Sequence, residues 1–218
     1  MVDRYMPMLA AFAVSEDEQS AITAALATAN PWGWAPGGVL QATLVAWKSR
    51  IRTYHLQRHA GRCCYCRRNL NGEFNYVIDR EHVLPKSVPG YRPLSYTVWN
   101  LGAACKRCNM QYKGSKIDFV IDPHDQAALE DHANYRLIHP NFDLYSEHLE
   151  RASVEINDTL VVKYTVVSDS LKGTFTHNYF NLEGLEVGSF DDAQGIGQVS
   201  DLGEGALEAA RLARVFGQ

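Results

Sequence analysis

Helical and strand-like patterns of apolar residues divide this chain of 218 residues into distinct elements. The alanine-rich residues 16–29 are preceded by Ser15, and Glu18 follows three positions later, which is the capping-box pattern of a helix start. Pro31 predicts the end of this helix because its ring cannot continue the backbone hydrogen bonds. A second helix of about 20 residues is predicted around residues 40–54, where apolar residues recur at helical spacing.

The middle of the chain has the pattern of two strands followed by a helix. Phe74, Tyr76 and Ile78 stand at every second position and so share one face, which predicts a short strand over residues 74–81. The prolines within residues 85–99 predict a broad loop without regular structure. A second strand is expected over residues 100–104, and a helix is expected to begin within residues 109–116.

The last third of the chain carries a further strand pair. Residues 153–156 and 160–167 have strand-like patterns, and Asn157-Asp158 separates them, so we predict a hairpin. The fold class is therefore α+β. We predict a helical N-terminal region at residues 1–60, a core at 61–122 and a small α+β C-terminal extension at 123–218.

The composition fits an ordinary globular protein. Apolar residues make up 46% of the chain, which is enough for a stable core without disulfides. The N-terminus lacks the basic and apolar segments of a signal peptide, and no apolar run approaches the ~20 residues of a membrane span. We therefore expect a cytoplasmic protein without a membrane partner.

Four of the five cysteines form two Cys-x-x-Cys pairs. Each pair places two thiolates on one side of a tight turn, and two such turns complete a tetrahedral site for zinc. A closed four-thiolate site leaves no position for water or substrate, so its zinc is expected to be structural. The alternatives are buried thiols or disulfides, but the odd Cys64 favours a reducing compartment and metal binding. The predicted ligands are Cys63, Cys66, Cys105 and Cys108.

The cysteine segment is also strongly basic. The net charge of the chain is -4, yet residues 48–116 hold fourteen Lys and Arg against three Asp and Glu. Such a basic segment around a metal site favours a phosphate-rich polyanion as the partner. The alternative is that these cations pair with the acidic flanks inside one fold. The outer face of the second helix, with Lys48, Arg50, Arg52 and Arg58, is expected to offer cations or simply to face solvent.

Four polar elements lie between and just after the cysteine pairs: Glu81-His82-x-x-Pro85, Asn100-Leu101, Asn109, and Lys113-Gly114. Together with the cysteines, and in this order, they resemble the HNH endonucleases of the ββα-metal fold, in the branch that carries zinc knuckles. The resemblance covers residues 63–114, about a quarter of the chain. It implies a ββα nuclease core that hydrolyses DNA phosphodiester bonds.

The resemblance also implies a role for each residue. His82 would be the general base that activates water, and the side-chain carbonyl of Asn100 would accept a hydrogen bond from the other imidazole nitrogen. Glu81 and Asn109 would bind a catalytic Mg²⁺ or Mn²⁺, which prefers oxygen ligands. The chain has Glu81 where the family more often has Asp, so Asp79 is a second candidate ligand.

Four cations close to these residues are expected to contact nucleic-acid phosphates by proximity alone: Lys86, Arg107, Lys113 and Lys116. A second, looser resemblance is to HNH proteins of bacterial anti-phage systems, including Septu-type and retron-associated ones. It rests on the segment from His139 to Asp143, the hairpin and residues 180–185. It implies antiviral defence beside a regulatory ATPase partner, with the acidic C-terminal third as the docking surface. A structural extension of the core is the alternative.

Two other functions remain open from the sequence. One is a catalytically silent, zinc-bearing module that binds nucleic acid or acts as an adaptor. The other is an RNA-cleaving toxin with the same site, because hydrolysis by a water nucleophile does not itself read the 2′-hydroxyl. His55 and His59, four residues apart on the second helix, could chelate a metal, but no third ligand is evident.

Overall fold

The computed structural model describes residues 3–156 and 159–187, and its architecture is mixed α+β. The chain divides into two compact units, Met1–Leu144 and Tyr145–Gln218. Both predicted domain boundaries, after residues 60 and 122, fall inside the first unit. The helical N-terminal region and the cysteine-bearing core therefore fold together.

Two helices open the first unit, α1 at Glu16–Leu26 and α2 at Gly38–Arg58. The predicted capping box is confirmed. The hydroxyl of Ser15 accepts a hydrogen bond from the backbone N–H of Glu18 (3.2 Å), and the carboxylate of Glu18 accepts one from the N–H of Ser15 (3.0 Å). Such a cap stabilises a helix by about 1 kcal/mol. The helix ends at Leu26, earlier than residue 29.

The apolar stripe of α2 forms the core between the helices and the rest of the first unit. Leu44, Trp47 and Ile51 are buried, and they pack in one cluster with Tyr96 and Leu101 from the middle of the chain. Arg58 was expected on the outer face but is buried, because its guanidinium pairs with Asp3 at 2.9 Å. The helices thus support the segment that carries the polar motifs.

The predicted strand pair is present, with a shorter first strand. Strand β1, Ile78–His82, pairs antiparallel with β2, Leu101–Cys105, so that Ile78 lies opposite Cys105 and His82 opposite Leu101. Glu81 and His82 therefore belong to the strand itself. Phe74 and Tyr76 lie before the strand and are 76% and 74% exposed, which corrects the strand predicted from residue 74.

The segment between β1 and β2 is more regular than the prolines predicted. It contains 3-10 helices at Pro89–Tyr96 and Val98–Asn100, whose hydrogen-bond pattern tolerates Pro89 at the first position. After β2 the chain forms a π-helix, Arg107–Lys113, which begins two residues before the range predicted for a helix start. Gly114 ends it with a φ of 53°, a conformation that glycine adopts without strain.

The segment from His139 to Asp143 completes the first unit. The amide of Asn141 donates hydrogen bonds to the carbonyls of Trp99 (2.8 Å) and Leu101 (2.7 Å) at the start of β2. The carboxylate of Asp143 accepts one from the backbone N–H of His139 at 2.7 Å. These contacts support the structural alternative for residues 139–143.

The second unit contains the predicted hairpin. Strand β3, Leu149–Ile156, pairs antiparallel with β4, Thr159–Val166, and helix α3 follows at Leu171–Tyr179. The turn residues and residues 188–218, which include much of the predicted docking surface, lie outside the described part of the chain. Among the residues that the structure describes, no helix has the length and apolar character of a membrane span.

Candidate metal centre and adjoining pocket

The four predicted zinc ligands meet at one point in the first unit. The Sγ atoms of Cys63, Cys66, Cys105 and Cys108 all lie within 4.8 Å of one another, and all four residues are buried. Zn–S bonds of about 2.3 Å in a tetrahedron place sulfurs about 3.8 Å apart. The Cys66 and Cys105 sulfurs are 3.8 Å apart. The donor set and its geometry therefore fit a structural metal such as zinc.

Backbone contacts attach the first cysteine pair to strand β2. The N–H of Cys64 donates to the carbonyl of Ala103 at 2.9 Å, and the N–H of Cys105 donates to the sulfur of Cys63 at 3.3 Å. Cys64 lies outside the cluster. Burial raises the pKa of its thiol, which makes it an unreactive, space-filling residue.

His82 ends strand β1 and lies in a fixed orientation. Its Nε2 is 3.1 Å from the carbonyl of Ser95, and a carbonyl can only accept, so Nε2 carries the proton. The indole of Trp32 packs edge-on against the imidazole with ring centroids 4.4 Å apart. Within the described residues Nε2 makes the ring's only hydrogen bond. The Nδ1 lone pair is left for a water molecule.

Burial, assisted by the nearby cation of Lys86, lowers the pKa of His82 to about 3 against the opposing effect of the Ser95 carbonyl. The imidazole is therefore neutral at physiological pH. A neutral imidazole with one free lone pair is able to accept a proton.

Asn100 has a different role from the predicted one. Its side-chain oxygen accepts a hydrogen bond from the N–H of Leu84 (2.7 Å), and its amide nitrogen donates to the carbonyls of Leu84 and Leu94 (both 3.2 Å). The predicted contact with the imidazole is made instead by Ser95. A buried amide at this position completes its hydrogen bonds with the nearest loop backbone, which leaves none for His82.

Glu81 is enclosed in the protein. It is fully buried, and its Oε1 is 2.9 Å from the Nζ of Lys113 and accepts a hydrogen bond from the hydroxyl of Tyr65 at 3.1 Å. Its Oε2 has no hydrogen-bond partner. Burial raises the pKa of Glu81, and the Lys113 ammonium and the Tyr65 hydroxyl oppose this rise. The carboxylate therefore faces a cation of the protein itself.

Asp79 and Asn109 contact each other at the other end of the strand. The amide of Asn109 donates to Oδ2 of Asp79 at 3.0 Å, and the ammonium of Lys106 pairs with Oδ1 at 3.0 Å. Both carboxylates proposed as metal ligands are thus engaged with lysines. The two residues predicted to share a divalent ion, Glu81 and Asn109, have different partners.

A pocket of about 320 Å³ lies beside these residues. His82, Asn109 and Lys113 line it together with Arg80 and Lys86, and no carboxylate is found among the described lining residues. The arrangement suits an anion. As folded, it does not present the oxygen ligands that Mg²⁺ or Mn²⁺ would require.

The four predicted phosphate-binding cations differ in their placement. Lys86 and Lys116 are exposed, and Lys86 lines the pocket. Arg107 is half-buried and lies over the ring of Tyr112 at 4.3 Å. Lys113 is 1% exposed and pairs with Glu81, so its ammonium is held inside the protein.

Sequence reasoning missed the residues that orient the motif side chains. Ser95 contacts His82 through its backbone carbonyl, and because every residue has such a carbonyl, the sequence does not indicate this contact. Trp32 precedes His82 by fifty positions, and Tyr65 lies between the first two cysteine ligands. The Trp32-Gly-Trp34 turn was visible in the sequence, but its contact with the imidazole depends on the packing of α2. His55 and His59 are buried, and neither belongs to a metal-binding group among the described residues.

Comparison with known proteins identifies no relative. No protein-family description matches the chain, and neither the curated proteins nor the solved structures contain a significant match.

Proposed function

We propose that this protein is an endonuclease of the HNH type that hydrolyses DNA phosphodiester bonds. The observation that carries the proposal is the state of His82. It is a neutral imidazole whose Nε2 is tied to the Ser95 carbonyl, in a pocket lined by cations. The antiparallel strands β1 and β2 followed by a helix, with a four-cysteine cluster beside them, support the ββα core that the resemblance implies.

The chemistry follows from these positions. A water molecule at Nδ1 of His82 gives its proton to the imidazole while its oxygen attacks phosphorus. The bond from phosphorus to the leaving oxygen breaks, and that oxygen takes a proton from solvent. Arg80 and Lys86 lie where they can neutralise the phosphate. A bound anionic phosphate favours the imidazolium and so raises the pKa of His82 from its low value in the free protein.

The resemblance further implies a catalytic Mg²⁺ or Mn²⁺ held by Glu81 and Asn109. Such an ion would neutralise charge on the phosphate and the leaving oxygen. Glu81 is paired with Lys113 in the folded chain, so the residues present do not offer this ion its ligands.

The test is incubation of the purified protein with supercoiled plasmid, in Mg²⁺, in Mn²⁺ and in chelator, beside two variants. His82→Ala removes the proposed base and is expected to lower the cleavage rate by about 10²–10⁴-fold. His124→Ala, which changes an exposed histidine, is the matched control and is expected to cleave normally. Cleavage that survives His82→Ala would refute the assignment of the base.

A catalytically silent nucleic-acid-binding module is the main alternative. It predicts plasmid binding without cleavage under all three conditions, and equal binding by wild type and His82→Ala. An RNA-cleaving activity would appear only when RNA is the substrate, so the same variants are assayed on a single-stranded RNA as well.

The looser resemblance to anti-phage HNH proteins supports a place in bacterial antiviral defence beside a regulatory ATPase. The second unit, a hairpin with a packed helix, is the proposed docking element for this partner. Protection of cells against phage that requires both the partner and His82 is the expected result. Protection that persists with His82→Ala would separate defence from cleavage.

A further inference from the structure

Two aromatic side chains face solvent just before strand β1. Phe74 and Tyr76 are 76% and 74% exposed, and Tyr76 lies in the 3-10 turn that leads into Ile78. Single exposed apolar residues are common on protein surfaces and need no explanation. The neighbours of these rings therefore decide whether they form a site.

The neighbour of Tyr76 is a cation that also reaches the rim of the pocket. The Nζ of Lys106 lies over the Tyr76 ring, 4.8 Å from its centroid, and is 3.8 Å from the Sδ of Met110. Met110 is 65% exposed and lines the pocket that contains His82. An exposed aromatic ring, a lysine and an exposed methionine thus form one continuous surface that ends at the pocket.

Lys106 is itself held in position. Its ammonium pairs with Oδ1 of Asp79 at 3.0 Å, and Oδ2 of Asp79 accepts a hydrogen bond from the amide of Asn109 at 3.0 Å. A cation over the face of an aromatic ring is attracted to it electrostatically. The ammonium therefore steadies one face of the Tyr76 ring, and the exposure of the side chain leaves the opposite face open to a planar ligand.

The chemistry of this surface matches an unpaired strand of nucleic acid. Arg80, Lys86 and Lys113 line the pocket, so it attracts a phosphate, and each phosphate of a strand is followed by a planar base. Stacking of a base on an aromatic side chain is independent of sequence because every base has a π face. In a duplex those faces are already covered by neighbouring base pairs, so only an unpaired base is free to stack on Tyr76.

The ring lies within reach of a strand bound in the pocket. His82 is the sixth residue after Tyr76, so their Cα atoms are at most ~22 Å apart. Stacked nucleotides rise about 3.4 Å each, so about six of them cover this span. A short segment of DNA can therefore contact the proposed base and the ring together.

We infer that Tyr76 stacks on an unpaired base of a DNA strand whose backbone lies in the pocket, so that the protein prefers single-stranded DNA to duplex. The inference rests on the proposed function, since it names the form of DNA that the same site takes. Phe74, the second exposed ring, is expected to stack on a further base of this strand.

The test measures binding rather than cleavage. The full-length His82→Ala protein, as the parent, is titrated into a labelled single-stranded oligothymidylate of about 12 nucleotides, within the usual site size, and fluorescence anisotropy is followed. A blunt duplex of the same length is the second probe. We expect the parent to bind the single strand more tightly. Adding Tyr76→Ala is expected to weaken binding of the single strand by at least about 5-fold and to leave the duplex unchanged.

Two further variants serve as controls. Tyr76→Phe keeps the ring and should bind the single strand like the parent. Val39→Ala shortens an exposed apolar side chain outside the basic range 48–116, and it should also bind like the parent. Zinc content and thermal unfolding are compared in all variants. Equal affinities of folded Tyr76→Ala and Tyr76→Phe for the single strand, or tighter binding of duplex by the parent, would overturn the inference.

Failure of this inference can be told apart from failure of the proposed function. Plasmid cleavage by wild type, together with equal binding by Tyr76→Ala and Tyr76→Phe, would keep the nuclease and refute the stacking. An intact plasmid in every condition, together with binding of the single strand that depends on the ring at position 76, would refute the nuclease and leave a binding surface for unpaired DNA.

Discussion

At the scale of single residues, the orientation of the proposed base depends on a buried amide that never touches it. Asn100 makes three hydrogen bonds to the backbone of Leu84 and Leu94. The residue that follows Leu94 is Ser95, and its carbonyl accepts the hydrogen bond that holds His82. Asn100 therefore acts as a positioning residue. The imidazole keeps its tautomer because the loop that faces it cannot shift.

Replacing Asn100 by Ala is expected to lower the free energy of unfolding by about 3 kcal/mol, because the buried N–H of Leu84 and two carbonyls lose their partner. Urea denaturation measures the change. Gln126→Ala, which shortens an exposed amide, is the control and should stay within about 0.5 kcal/mol of wild type. An equal decrease in the free energy of unfolding in both variants would show that the three hydrogen bonds of Asn100 do not stabilise the fold.

At the scale of elements, the cysteine cluster joins segments that bury little apolar surface by themselves. Strands β1 and β2 have five residues each, and the turn of the first cysteine pair contacts β2 through two hydrogen bonds, one to the carbonyl of Ala103 and one from the N–H of Cys105. Metal binding can supply on the order of 10 kcal/mol to small modules of this kind. The zinc is therefore expected to fix the position of β2 relative to the π-helix.

One zinc ion per chain is expected by inductively coupled plasma mass spectrometry. Cys105→Ser should lose the metal and unfold at lower temperature, since its hydroxyl is a poor zinc ligand. Cys64→Ser changes a buried thiol in the turn between Cys63 and Cys66 that is not part of the cluster, so it should retain the ion. Equal zinc content in both variants would rule out the four-cysteine site.

The elements that were predicted correctly are those whose signals are local. The capping box at Ser15, the stripe of α2 and the pair of strands β3 and β4 each lie within one stretch of sequence. The first strand began later than predicted because pairing decides its length. Ile78 lies opposite Cys105, the last residue of β2, so Tyr76 has no partner strand despite its alternation with Phe74.

The positions that the sequence could not reveal depend on contacts between distant residues. Charged side chains are exposed by default, yet Arg58 is buried against Asp3 and Lys113 against Glu81. The motif spacing predicted that His82 and Lys113 would lie near each other. It could not predict that the carboxylate next to His82 would turn inward to meet the lysine.

At the scale of the whole molecule, charge is distributed very unevenly. Residues 48–116 carry fourteen of the 21 Lys and Arg, and this range includes every cation that lines the pocket. We therefore expect a polyanion to be attracted to the part of the first unit that holds His82. The overall charge of -4 gives no hint of this attraction.

Binding of a short DNA duplex by the His82→Ala protein is expected to weaken steeply with salt, as counterions are released from phosphates. Fluorescence anisotropy at several salt concentrations gives the slope of log Kd against log salt. Lys86→Gln should reduce that slope by about 1, whereas Lys172→Gln in the second unit should leave it unchanged. An affinity independent of salt would argue against a nucleic-acid partner.

The π-helix Arg107–Lys113 gives the molecule a further property. The N–H of Gly114 bonds to the carbonyl of Asn109, five residues back, so this turn holds one residue more than an α-helical turn. A wide turn of this kind takes up one extra residue without turning the residues after it far from the direction they would have in an α-helix. Loss of a single codon between Asn109 and Lys113 would restore α-helical spacing and turn Lys113 relative to Asn109 by much less than the roughly 100° of one α-helical residue. The ion pair of Lys113 with Glu81 is therefore expected to survive a change of one residue in the length of this segment.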